Sequence, residues 1–120
     1  TKVRPLKLAY MPKKMKYVKA DIGETWVIMY FSYGKYRVKI LEEVGGTGNS
    51  TNVISDRKKE EYIYNDLLKE NIYFEKSKLS DGKFEYSANI VKGDTYYQIS
   101  GIIPKKEFKK IVENLFLENY

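Results

Sequence analysis

Trp26-Val27-Ile28-Met29-Tyr30-Phe31-Ser32-Tyr33-Gly34-Lys35-Tyr36-Arg37-Val38-Lys39-Ile40 reads as two extended segments joined at a tight turn. Residues 26–32 are almost all aromatic, β-branched or otherwise apolar. Trp26, Ile28 and Tyr30 fall on one side of an extended chain, and Val27, Met29 and Phe31 on the other. A run apolar on both sides predicts a central strand covered on both faces. After Tyr33-Gly34, residues 35–44 alternate Tyr36, Val38 and Ile40 with Lys35, Arg37 and Lys39, the period of two expected of a half-buried strand. Together they predict an antiparallel hairpin.

Working outward, residues 15–20 form a short first strand after the breaks at Pro5 and Pro12. Residues 72–79, 83–92 and 95–103 predict a three-stranded meander, turned at Ser80-Asp81-Gly82 and Lys92-Gly93-Asp94. Between the two groups, residues 45–52 are polar and glycine-rich and predict a mobile loop. Residues 57–70 carry two signals. Glu60-Glu61-Tyr62-Ile63-Tyr64 suits a strand, whereas Ile63, Leu67 and Leu68 also sit at helical spacing.

A C-terminal helix is predicted over 104–118. Pro104 suits a helix start, and Phe108, Ile111, Val112, Leu115 and Phe116 make one continuous apolar stripe. Burying such side chains contributes roughly 1.5 to 3 kcal/mol each, enough to hold the helix on a sheet. The expected fold class is α+β: a curved antiparallel sheet of about five to seven strands with the helix on one face. All 120 residues are expected in a single domain, with 1–14 as a basic N-terminal segment.

The chain contains no histidine and no cysteine, which removes His-based acid–base chemistry, thiol nucleophiles, disulfides and redox chemistry together. Three Ser-x-x-Lys patterns, at Ser32–Lys35, Ser55–Lys58 and Ser80–Lys83, are expected by chance in so lysine-rich a chain, and two of them lie in hairpin turns. Glu42-Glu43 and Glu60-Glu61 are neighbours that would point to opposite faces of strands, and are expected to be solvated. Gly45-Gly46-Thr47-Gly48 lacks the ending of a phosphate-binding loop. The expectation is therefore a protein that is not an enzyme and holds no cofactor and no metal.

The net charge of +6 is concentrated at one end. Residues 1–20 hold seven bases (Lys2, Arg4, Lys7, Lys13, Lys14, Lys16, Lys19) and no acid, while the other hundred hold fifteen bases against sixteen acids. A basic edge on a near-neutral body points to an anionic neighbour: a membrane surface, an envelope polymer, another envelope protein or nucleic acid. The candidate contacts are Lys13, Lys14, Lys16 and Lys19, joined by Lys105 and Lys106, which stand in the first turn of the predicted helix where acids are usual. Trp26, Tyr30 and Tyr36 are the candidate face for an apolar ligand on the sheet. Twelve tyrosines on a basic sheet also fit a single-stranded nucleic-acid binder, although no RNP-like signature accompanies them.

Glu85-Tyr86-Ser87-Ala88-Asn89-Ile90, Thr95-Tyr96-Tyr97-Gln98-Ile99-Ser100-Gly101 and Ile102-Ile103-Pro104-Lys105-Lys106-Glu107-Phe108 resemble the end of a domain-of-unknown-function family. Leu8-Ala9-Tyr10-Met11-Pro12-Lys13-Lys14-Met15-Lys16 is similar to its start. The resemblance implies the extracytoplasmic C-terminal portion of a membrane-anchored protein of Gram-positive bacteria, with relatives resembling anti-sigma factors. It also implies a sheet-and-helix fold similar to lipoprotein-carrier and periplasmic sensor domains. The chain opens on Thr1 and reads as excised, with any anchor expected outside it. No motif in it names an active site, so the implied role is a binding or sensor domain, or a carrier of an apolar ligand.

Overall fold

The computed structural model describes residues 4–45 and 61–117. In chain order the elements are β1 (Leu6–Leu8), β2 (Met15–Ile22), β3 (Trp26–Tyr33), β4 (Tyr36–Val44), β5 (Glu61–Asn65), β6 (Glu70–Lys78), β7 (Phe84–Lys92), β8 (Thr95–Gly101), α1 (Lys105–Glu113) and β9 (Leu115–Leu117). Seven strands form one antiparallel sheet in the order β2-β3-β4-β8-β7-β6-β5, and β1 pairs with β9 in a separate two-stranded piece. The fold is α+β, as the periodicities indicate. Two meanders, β2-β3-β4 and β5-β6-β7-β8, meet where β4 pairs with β8, from Val38 opposite Gly101 to Val44 opposite Thr95.

The hairpin turns follow from glycine. Tyr33 faces Tyr36 and Lys92 faces Thr95, leaving the two-residue turns Gly34-Lys35 and Gly93-Asp94. Gly34 and Gly93 adopt φ of 62° and 63°, left-handed values that Cβ-bearing residues resist.

One face of the sheet carries the core. Val38 and Ile40 of β4, Tyr97 and Ile99 of β8, Tyr86, Ala88 and Ile90 of β7, Ile72 and Phe74 of β6, and Ile63 of β5 are all buried there. The helix lays Phe108, Ile111 and Val112 on this face, with the Phe108 ring 5.8 Å from Phe74 and 5.6 Å from Tyr86. β1 and β9 add Leu6 and Leu115 to the same layer.

The structure corrects two expectations and resolves or extends two others. The helix ends at Glu113, not at 118: Leu115–Leu117 turns into β9 and pairs with Leu6–Leu8. Leu115 still reaches the core, from a strand, so an apolar stripe at helical spacing did not require a continuous helix. The basic N-terminal segment is in part a structural strap, since it supplies β1, which charge alone could not reveal. β3 is not covered on both faces. It is second from the sheet edge and only Phe31 is buried, because the nine-residue helix and the two short strands are too small to cover it. The ambiguous 57–70 segment is strand from Glu61 to Asn65 and then turn, with positive φ at Lys69. Residues 46–52 of the expected loop, 57–60 of that segment, and Ser55–Lys58 lie outside the described residues.

Asn65, fully buried at the end of β5, holds the helix end in place. Its Nδ2 donates to the carbonyls of Val112 (2.7 Å) and Leu115 (2.9 Å), and its Oδ1 accepts from the Leu68 amide (2.7 Å). One carbonyl that the helix terminus leaves open and one at the start of β9 are thereby satisfied from a different strand. Asn65→Ala leaves three buried backbone groups without that partner, each worth roughly 1 to 3 kcal/mol. Urea denaturation is expected to show a loss of about 3 kcal/mol or more, against under about 0.5 kcal/mol for exposed Asn71→Ala.

Candidate functional site

Strand alternation divides the sequence-predicted contacts between two faces. In β3, Trp26, Ile28 and Tyr30 point away from the helix, while Val27, Met29 and Phe31 share the core side. With Gly34-Lys35 as the turn, Tyr36 stands opposite Tyr33, an odd step from Tyr30, and so faces the helix side. Trp26, Tyr30 and Tyr36 therefore do not form one ligand face, and the two-residue turn already implied this. Trp26 is 37% exposed, and its indole lies against Gly23, where a Cβ would come 2.2 Å from Nε1.

The open face carries a basic cluster around Tyr30. The Lys19 ammonium sits 5.2 Å from the centre of the Tyr30 ring, and the Arg37 guanidinium 5.5 Å from it. Lys39 is the direct cross-strand partner of Tyr30, and Lys16 lies opposite Ser32, itself paired with Arg37. Of the acids on this face, Asp21 meets Lys19 at 3.8 Å toward the Trp26 end, Glu43 lies opposite Trp26, and Glu75 and Glu85 stand on β6 and β7. Arg37 and Lys39 join the lysines expected from sequence because the register of β4 against β3 brings them there. Lysines on an edge strand also discourage pairing with another sheet, and β2 is such a strand.

At the end of the sheet, on the helix side, is a pocket of about 400 Å³ lined by Tyr33, Tyr36, Phe84, Tyr86, Ile103 and Lys105 among others. Tyr86 and Ile103 are buried, and the other rings are half-buried walls. Lysines lie over these rings: Lys14 at 5.9 Å from Tyr33, Lys35 at 5.4 Å and Lys83 at 5.8 Å from Tyr36, and Lys76 at 4.7 Å from Phe84. Lys105 donates to Glu61 at 2.7 Å, an ion pair that raises the lysine pKa and lowers that of the carboxyl. Lys13 and Lys106 are exposed, the first in the turn before β2 and the second in the first turn of α1. Among the described residues no group of three metal-ligating side chains comes together.

The covered face hides one acid. Glu42 is 1% exposed rather than solvated, and its Oε2 accepts from the Leu6 amide of the strap at 3.1 Å. Burial raises its pKa from 4.5 to about 7, against the opposing effects of the Leu6 amide and the Lys7 charge. A carboxylate is ordinarily kept wet, which is why adjacent acids read as solvated. Val38, Ile40 and Glu42 nevertheless share a face, and that period was the available signal.

Residues 5–115 match the family described as Domain of unknown function (DUF4367). The chain belongs to the DUF4367 family. No curated protein and no solved structure matches it.

Glu42 makes a pH prediction. Below pH 4.5 the carboxyl is protonated in both folded and unfolded chains. From there to about 7 only the folded chain keeps the proton, so stability falls as pH rises; above about 7 the loss is complete. Thermal melts should show a decline of about 2 kcal/mol between about pH 5 and pH 8 attributable to this group. Glu42→Gln, which keeps an acceptor for Leu6, should abolish that part of the decline and stabilise the domain at the alkaline end of that range.

Proposed function

We propose that this DUF4367 domain is a non-catalytic binding domain outside the cytoplasmic membrane, held there by a membrane segment elsewhere in its protein, and that its open sheet face rests on an anionic lipid surface. The observation that carries the reading is the placement of Lys19 and Arg37 over Tyr30, with Lys39 opposite and Lys16 one step along, on a face that neither the helix nor the small sheet covers. Each base near such a surface contributes about 1 kcal/mol of attraction, and a half-exposed tyrosine among them supplies the amphipathic ring that membrane interfaces favour. Trp26 and Ile28 continue the face with apolar surface. The absence of histidine and cysteine supports a binding role over catalysis. The external location is supported by the resemblance of residues 85–108 to envelope proteins.

Lys16→Glu, Lys19→Glu and Arg37→Glu combined should weaken sedimentation with phosphatidylglycerol vesicles at least about tenfold and leave the negligible association with phosphatidylcholine vesicles unchanged. Unaltered binding of the triple variant would sink the proposal. Equally tight, charge-dependent binding to a single-stranded oligonucleotide would replace it with the nucleic-acid reading.

The location has its own test. Protease added to intact cells should digest the domain in the native full-length protein, and protection until lysis would overturn the extracytoplasmic placement.

A further inference from the structure

The pocket at the end of the sheet has a chemistry distinct from the open face. Its walls are aromatic, its floor is the buried pair Tyr86 and Ile103, and its volume of about 400 Å³ is within the range of small-ligand sites. It is too large for the single water that an accidental packing gap holds, and its largely aromatic walls suit an apolar body better than a bare hydrated ion. One edge is formed by the turn ending at Lys83. That turn is ordered by its own hydrogen bonds: the Lys83 amide donates to Asp81 Oδ1 at 2.9 Å, and the Leu79 amide donates to the Lys83 carbonyl at 2.8 Å. Gly82, at φ 88°, completes it.

The charges around the pocket are not equivalent. Lys105 is already engaged by Glu61, whereas Lys83 meets the face of Tyr36 and pairs with no acid among the described residues. Lys14, Lys35 and Lys76 ring the outside at ring faces that form the walls. The local field is therefore positive, with one ammonium placed to meet a single negative group and apolar surface behind it.

We propose that this pocket binds a small monoanion with an apolar body, an aromatic or short-chain acyl carboxylate. Its body packs against Tyr33, Tyr36 and Phe84, and its carboxylate pairs with Lys83. A ligand lacking the body leaves the rings unused, and one lacking the charge forfeits the ammonium, so both halves are needed. The proposal stands apart from the lipid-surface reading, since its residues lie on the other face of the sheet.

The test is a titration of the isotope-labelled domain with benzoate, hexanoate, benzyl alcohol and acetate, followed by amide chemical shifts. Benzoate and hexanoate should give saturable shifts at Gly82, Lys83, Phe84, Ile103 and Lys105, with benzyl alcohol and acetate at least about tenfold weaker. Tyr36→Ala and the exposed-site Lys83→Gln should each weaken benzoate about tenfold while the spectrum stays that of the folded domain. The Lys16, Lys19 and Arg37 variant should bind benzoate as the native chain does, which separates this site from the open face. Absence of saturable shifts with either carboxylate at millimolar concentration would overturn the proposal. Acetate as tight as benzoate would reduce the site to a general anion contact, and benzyl alcohol as tight as benzoate to an apolar one; either refutes it.

Discussion

The three hydrogen bonds of Asn65 tie the end of β5 to the end of the helix and to the start of β9. By accepting the Nδ2 protons, the carbonyls of Val112 and Leu115 are satisfied on either side of the point where the helix stops. The Asn114 amide turns back to the Ile111 carbonyl there, and the Asn114 carbonyl accepts from Ala9. β9 can then leave the helix and pair with β1. The strap in turn is pinned by Leu6 to Glu42, by the Arg4 carbonyl accepting from the Tyr97 hydroxyl, and by Tyr10 donating to Glu107 on the helix. One buried amide therefore positions the helix end, the small sheet and the roof over Glu42. A hydrophobic residue of the same size at this place would fill the volume and leave those backbone groups stranded in a dry interior.

Cover is what the chain has least of. Nine helical residues and two three-residue strands protect β4, β8, β7 and the inner side of β5, and leave β2 and β3 half-exposed. Aromatic and basic residues alternate on that unprotected flank, and the long side chains of Lys19 and Arg37 lie along tyrosine surface with their charges in water. A face of this composition keeps its charges hydrated and exposes ring surface between them. The pocket repeats the same pairing of ring and ammonium on the opposite face.

Glu42 shows why composition underestimates such sites. In the sequence it is one of two adjacent acids near a strand end, and acids in that position are normally both wet. Here one side of β4 is roofed by the strap, so the alternation that buries Val38 and Ile40 carries Glu42 into the interior with them. The raised pKa follows from that roof, and the strap's stability is coupled to the proton it traps.

An apolar run for β3, period-two patterning for β4 and the turn residues between β6, β7 and β8 were enough to place those strands, because each is a local requirement that the segment states for itself. The α+β class and the helix start at Pro104 were legible for the same reason. The helix end, β1, β9 and the edge strand β5 were not, since each is held by partners far along the chain: Asn65 for the helix end, Leu6–Leu8 for β9, and β6 for residues whose spacing suited either structure. Among the candidate residues, the basic character of the first strand could be read directly from its lysines. That Tyr36 turns to the face opposite Tyr30 follows from the two-residue turn, but which lysines gather round Tyr30, and that Lys83 and Phe84 close a pocket with Tyr33, depend on strand register and on the meeting of β4 with β8. Those are nonlocal pairings, chosen by the burial of a shared core, and only the tertiary structure decides them.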